Sequence, residues 1–131
     1  MHKGFLRIGA IAGMLSVMLG AFAAHALKGM IGDHAIATFE TGVRYQFYHA
    51  LALLMTGMLF KEFNSGKTLA AGWLFLAGMI LFSGSLYLLT YMQASVQPGW
   101  RWVGAITPFG GICFIGGWLL LFWAFFDKKR S

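Results

Sequence analysis

The residues of this chain able to do chemistry are few, and most lie in apolar surroundings. His25 and His49 are placed so that, on antiparallel neighbouring helices, they would reach roughly similar depth. Two imidazoles at one level suit haem or metal ligation, or a proton relay, and ionisable groups inside apolar spans are functional candidates. They equally suit two neutral rings bonded to hydroxyls or carbonyls in a packed bundle. The second reading is preferred, because the small-residue seams described below argue for close packing over a haem cavity. The densest polar cluster is Glu40, Arg44 and Gln46 with Tyr45 and Tyr48. Glu40 and Arg44 stand four apart in the order that favours a helical ion pair. Free of each other, they would form a substrate or lipid-headgroup site, with Arg44 holding a phosphate. Paired, they would let a helix enter the membrane with its charges neutralised.

Ser83, Ser85 and Tyr87 form a third polar group. Hydroxyls inside an apolar span usually bond the preceding turn or cross to a neighbour. A serine nucleophile needs a base and an oxyanion site, and no His–Asp pair is spaced to supply them. The lone Cys113 reads as a small core residue. The whole chain has four acids, no metal-ligand spacing and no nucleotide loop, so neither a cofactor nor an enzymatic activity is expected.

The elements that must position these residues are apolar helices. Of the 131 residues, 59% are hydrophobic and 11% are charged, far below the quarter or so usual in soluble domains. Charged residues are absent from 8–27, 45–60, 68–100 and 102–126. A bilayer core of about 30 Å takes about 20 apolar helical residues. Three of these stretches meet that length, and polar residues just before the second can extend it into the interface. The sequence therefore predicts an all-α membrane protein: one domain, a four-helix transmembrane bundle with spans near 8–27, 43–60, 68–91 and 103–126. An outer amphipathic segment precedes the second span.

The net charge of +6 sits at span ends and implies headgroups, not nucleic acid. Lys3, Arg7, Lys61, Lys67, Lys128, Lys129 and Arg130 fall on one side; Lys28, Arg44 and Arg101 fall on the other. The positive-inside bias puts both termini in the cytoplasm. Lys3 and Arg7 before an apolar run, with Ala24-His25-Ala26 after it, also fit a cleaved signal segment. A packing face in that run favours a retained helix, because a disposable segment needs none.

Such faces recur. The first span carries Ala12, Ser16, Gly20 and Ala24, and Gly9 with Gly13. The second has Ala50 and Gly57; the third has Ala70-Ala71, Ala77-Gly78 and Gly84-Ser85; the fourth has Gly104 with Gly111 and Gly110 with Gly117. Small residues let helices approach closely where lipid removes the hydrophobic force between them. Seams on all four spans leave some for a homo-oligomer. Lys28–Gly32 reads as a break, with Asp33 capping a new helix beside a solvated His34. From there Ile36, Phe39, Val43, Phe47, Ala50 and Leu54 share an apolar face, opposite Thr41, Arg44, Tyr45 and Tyr48. This predicts one helix, or two joined by a bend, lying partly in the interface. Asn64-Ser65-Gly66 and Pro98-Gly99 mark turns, with Trp100 and Trp102 at headgroup level. Thr107-Pro108 either kinks a helix starting near Val103 or caps its regular part.

Several of these segments resemble one family. Gly20-Ala21-Phe22-Ala23-Ala24-His25-Ala26-Leu27 and Phe39-Glu40-Thr41-Gly42-Val43-Arg44-Tyr45-Gln46-Phe47-Tyr48-His49-Ala50-Leu51-Ala52-Leu53 are similar to its two strongest signatures. Leu81-Phe82-Ser83-Gly84-Ser85-Leu86-Tyr87 and Thr107-Pro108-Phe109-Gly110-Gly111 complete the match. It is the YgdD-like group of small bacterial membrane proteins, domain-of-unknown-function family 423, whose eukaryotic relative is transmembrane protein 256. Ala23 departs from the glycine expected in the first signature. The resemblance implies a retained first helix and a four-helix inner-membrane protein, and carries no activity with it.

The expected function is non-enzymatic binding of membrane lipid or a partner membrane protein. One alternative is a small oligomeric transporter or channel with Glu40, Arg44, His25 and His49 along a polar path. Another is a haem-binding redox protein using His25 and His49.

Overall fold

The computed structural model describes residues 1–95 and 100–127, with backbone alone at Trp100 and Arg101. The Pro98-Gly99 turn and the basic run 128–130 lie outside the described residues. Helix α1 (Lys3–Phe22) continues through a π-helical turn, Ala23–Leu27. Helix α2 is Asp33–Leu59. Helix α3 (Gly66–Gly78), a second π turn (Met79–Ser83) and α4 (Gly84–Ala94) form one helical run. Helix α5 is Trp100–Ala124. Among the described residues there is no strand. The helices stack in order: α1 on α2, α2 on the α3–α4 run, and that run on α5.

Local chemistry sets the ends. His2 Nδ1 accepts from the Phe5 amide at 3.1 Å, and Ser65 Oγ accepts from the Thr68 amide at 3.3 Å, so each caps its helix. The chain turns after α1 through Gly29 at φ 87°, a left-handed conformation that glycine takes without steric cost. Asp33 is not the cap of α2. Gly32 occupies that position, and Asp33 is the first helical residue, where its charge complements the helix dipole. Lys67 at the start of α3 donates to Asp127 just beyond α5 at 2.6 Å. That hydrogen bond, with the neighbouring charge, holds the Asp127 carboxyl below its ordinary range.

Three helical runs are long and apolar enough to cross a membrane: Lys3–Leu27, Gly66–Ala94 and Trp102–Ala124. Helix α2 is not among them, since its first half carries Asp33, His34, Glu40 and Arg44 and its second half includes Gln46 and His49. Its 27 residues span about 40 Å at 1.5 Å per residue, longer than a bilayer core of about 30 Å. It is one continuous helix without the bend allowed for above. Its buried face is also rotated from the expected stripe. Phe39, Gly42, Gln46, His49, Ala50 and Leu53 face inward, whereas Phe47 is exposed. The buried face differs from the apolar stripe because Gly42, Gln46 and His49 meet the neighbours together with Phe39 and Leu53.

Glycine gaps filled by aromatic rings run through the interfaces. A side chain on Gly72 would overlap the Phe5 ring from α1. One on Gly78 would overlap Phe114 of α5, and one on Gly117 would come within 2.7 Å of Phe75. At Gly110 the obstacle is the Phe82 backbone itself. On α5, Val103, Gly110, Gly117 and Ala124 form one buried line at seven-residue spacing, and Ala71, Gly78 and Ser85 form its counterpart. The parallel candidates face elsewhere: Gly84 and Gly104 have nothing within 4 Å of a side-chain position. Pro108 lies inside α5 rather than at its start, which excludes Thr107 as its cap. Cys113 is a half-buried free thiol.

These contacts separate two substitutions of the same kind. Gly110→Ala forces α5 away from a backbone that cannot yield, and its expected cost is about 1–3 kcal/mol. Gly104→Ala meets open space and is expected to be neutral, or to gain up to about 1 kcal/mol from helix propensity. Unfolding in mixed SDS micelles, followed by circular dichroism, checks both.

Candidate functional site

Of the residues singled out in the sequence, those on α2 divide between an inward and an outward face of that helix, and Ser83, Ser85 and Tyr87 lie on the run packed against it. On the inward face Gln46 and His49 bond to other helices, while Thr56 bonds the Ala52 carbonyl of its own helix. Gln46 is buried; its Nε2 donates to the Ala12 carbonyl of α1 at 2.9 Å, and its Oε1 accepts from the Tyr87 hydroxyl of α4 at 2.6 Å. One side chain thus joins three helices. Ser83 donates to the Gly42 carbonyl at 2.7 Å, where the absence of a side chain on Gly42 lets α4 approach. Ser85 bonds Thr107 at 2.6 Å and the Phe82 carbonyl at 2.9 Å, which ties the segment before Pro108 to the α3–α4 run.

His49 is likewise committed. Its Nδ1 lies 2.7 Å from the Tyr45 carbonyl, which can only accept. Its Nε2 lies 3.1 Å from the Trp118 indole N–H, which can only donate. The ring is therefore neutral, with its proton on Nδ1, and it stacks on Phe114 at 3.5 Å. Neither nitrogen is free for a metal.

His25 is exposed in the π turn after α1 and does not meet His49. Gly9 faces Ala50 and Leu54, Ala12 bonds Gln46, and Gly20 faces Val43. This register puts His49 level with Ala10–Gly13, so His25 lies about 18–22 Å farther along the axis. The expectation of equal depth is wrong because α1 and α2 form a hairpin about the 28–32 turn, which sets His25 opposite the start of α2 and not opposite His49. It removes the shared haem or metal site, and among the described residues no cluster of three metal-ligating side chains exists. Glu40 and His49 are nine residues apart, half a rotation at 3.6 residues per turn, so they face opposite sides of α2. The polar path through His25, His49, Glu40 and Arg44 is thus not formed within one chain.

The outward side of α2 is open. Glu40 is exposed and, among the described residues, has no ion-pair partner. Arg44 instead bonds Thr41 Oγ1 at 3.3 Å, so the expected Glu40–Arg44 pair is not made. Glu40 shares a hollow of about 280 Å³ with Lys28, Asp33, Ile36 and Ala37, against Ala23 and Ala24 of the π turn. One turn further along, Arg44 borders a second hollow of about 230 Å³ lined by Ser16, Val17, Val43, Phe47 and Tyr48. Tyr48 lines this hollow and packs edge to face on Tyr45, with ring centres 5.7 Å apart, whereas Tyr45 itself turns toward Phe82 and Phe114. The two hollows share no lining residue, but both lie between the α1 run and α2, and they follow one another along α2 as a groove with a charged hollow at one end and a mainly apolar one next to it.

Trp118, Thr107 and Lys28 were not singled out as site residues from the sequence. An indole N–H inside an apolar span needs an acceptor, and that signal pointed to a partner for Trp118. Lys28 lies at the break after the π turn and lines the hollow with Asp33 and Glu40, a grouping that requires α1 and α2 to be packed together.

The helices and their polar linkages define an all-helical membrane protein. Residues 19–111 match the family described as protein of unknown function, DUF423, and the chain belongs to that family. It is 45% identical over 120 residues to the UPF0382 membrane protein YwdK of Bacillus subtilis, covering 91% of this chain and 93% of that protein. It is 45% identical over 128 residues to the UPF0382 membrane protein SAB0533 of Staphylococcus aureus, covering 95% and 96%. For SH2409 of Staphylococcus haemolyticus the identity is 43% over 123 residues, covering 91% and 92%. No solved structure matches the chain.

The Gln46 bridge yields a testable coupling. Tyr87→Phe leaves Gln46 Oε1 without its donor and is expected to cost about 1 kcal/mol. Gln46→Leu removes both bonds, and the double variant is expected to lose less than the two single losses combined, by at least about 0.5 kcal/mol. Unfolding of the four proteins in mixed micelles measures it.

Proposed function

We propose that this protein is a non-enzymatic, four-span protein of the bacterial inner membrane that holds an amphiphile in the groove between α1 and α2. Helix α2 serves as the fourth span, and both termini lie in the cytoplasm. The observation carrying the reading is the order within the groove: Asp33, Glu40 and Lys28, without an ion pair among the described residues, around one hollow, Arg44 next, and an apolar trough beneath. That order matches a molecule with a charged head and a hydrocarbon tail. The inward polar groups support the non-enzymatic part, since His49, Ser83, Ser85 and Tyr87 are each bonded to helix partners. The basic residues at the 61–67 turn and near the N-terminus support the orientation.

Two measurements test this. In a Cys113→Ala background, a membrane-impermeant maleimide should label Met30→Cys in intact cells, and Asn64→Cys only after permeabilisation. The reverse pattern would overturn the orientation. Native mass spectrometry of gently extracted protein should show a retained lipid. Val17→Trp, a change at an exposed position in the trough, should reduce that adduct several-fold without changing helicity. An adduct that survives Val17→Trp unchanged would remove the groove from the reading; a lipid-free oligomer would favour a protein partner.

A further inference from the structure

Resting on the amphiphile reading, the geometry points to one ligand class: a phospholipid whose headgroup carries a free ammonium group, phosphatidylethanolamine being the simplest. The outer hollow is lined by Asp33, Glu40 and Lys28 as its charged groups, so its formal charge is one negative. A cation is favoured there over an anion. The neighbouring hollow has Arg44 as its charged group, above Ser16, Val17, Val43 and Phe47. Arg44 makes a bond of 3.3 Å to Thr41, which uses one of its five N–H groups. The others are available for a phosphate, which guanidinium binds through paired hydrogen bonds.

The sequence of charges along α2 decides between lipid classes. Glu40 stands one turn, about 6 Å, farther from the trough than Arg44. In any leaflet a phospholipid presents its ammonium outermost, its phosphate beneath and its chains toward the midplane. Acid, then base, then apolar trough is the complementary order. The two-carbon link between ammonium and phosphate, with a hydrogen bond at each end, covers one helical turn. A purely anionic headgroup would instead set negative charge against Glu40 and Asp33. The hollow of about 280 Å³ is at the lower limit of common ligand sites, roughly 300–1,000 Å³, which suits a headgroup whose chains lie elsewhere. The carboxylates favour a primary ammonium over a trimethylated one, because N–H donors add hydrogen bonds to the charge.

The test uses the full-length protein equilibrated with equimolar phosphatidylethanolamine, phosphatidylcholine and phosphatidylglycerol of identical chains, with retained lipid read by native mass spectrometry. Retention of phosphatidylethanolamine should exceed both others by about tenfold, the ratio expected for one charged hydrogen-bonded contact. Glu40→Gln should bring it down to the phosphatidylcholine level, while Arg44→Gln should reduce all three lipids. Circular dichroism and elution volume confirm that both variants fold. Equal retention of the three lipids by the wild type, or an unchanged preference in Glu40→Gln, overturns the headgroup assignment and leaves the amphiphile reading standing. Retention of no lipid overturns both.

Discussion

Close approach of helix backbones across glycine is the constraint on which this structure depends. In a bilayer the hydrophobic effect does not bring helices together, because lipid chains solvate apolar side chains as well as a neighbouring helix does. What remains is dispersion between closely fitted atoms, and it falls off within an ångström of separation. The chain meets this by placing aromatic rings over missing side chains: Phe5 over Gly72, Phe114 over Gly78 and Phe75 over Gly117. Where Gly110 meets the Phe82 backbone, two helices touch without any side chain between them. Buried hydrogen bonds depend on these contacts. Trp118 reaches His49 because Phe114 and Phe75 already hold α5 against the core.

The π turn at Met79–Ser83 belongs to the same scheme. It adds a residue to the α3–α4 run midway along its length. Ser83 then faces Gly42 of α2, while Ser85 faces Thr107 of α5. A side chain on Gly42 would press within 2.9 Å of the Tyr87 ring, so the glycine also makes room for the tyrosine that reaches Gln46. Polar and small residues thus cooperate at one level of the bundle, where three helices meet. The outward face of α2 shows the opposite economy, since its charged groups take no part in packing and stay available.

Much of this was legible in the residues themselves. Apolar length and charge spacing marked the helical runs, and the small-residue repeats marked surfaces of close approach. Glu40 and Arg44 stood out because acids are so scarce in the chain. Other features were not legible, for a geometric reason. A seven-residue repeat identifies a line of small residues but gives no direction, so Ala71–Gly78–Ser85 could not be told from its neighbour ending at Gly84. The roles of Phe5 and Phe114 were hidden because a ring fills a gap on another helix, and the sequence separation between them has no period.

By itself, the sequence determined that the chain is helical and membrane-bound, where its breaks fall, and which of its residues could hold charge in that setting. Those properties follow from composition and from interactions within a few residues along one helix. The break at 28–32, taken as a hairpin turn, also sets His25 far from His49. Tertiary structure alone decided which residues of α1 and α2 touch, Gly9 with Ala50 and Leu54 and Ala12 with Gln46. It also decided the partners that neutralise His49 and the rotation of α2 that turns Gln46 inward and leaves Glu40 and Arg44 outside. Each of these depends on distances between helices, which are set by the summed fit of many side chains and so are written in no single segment.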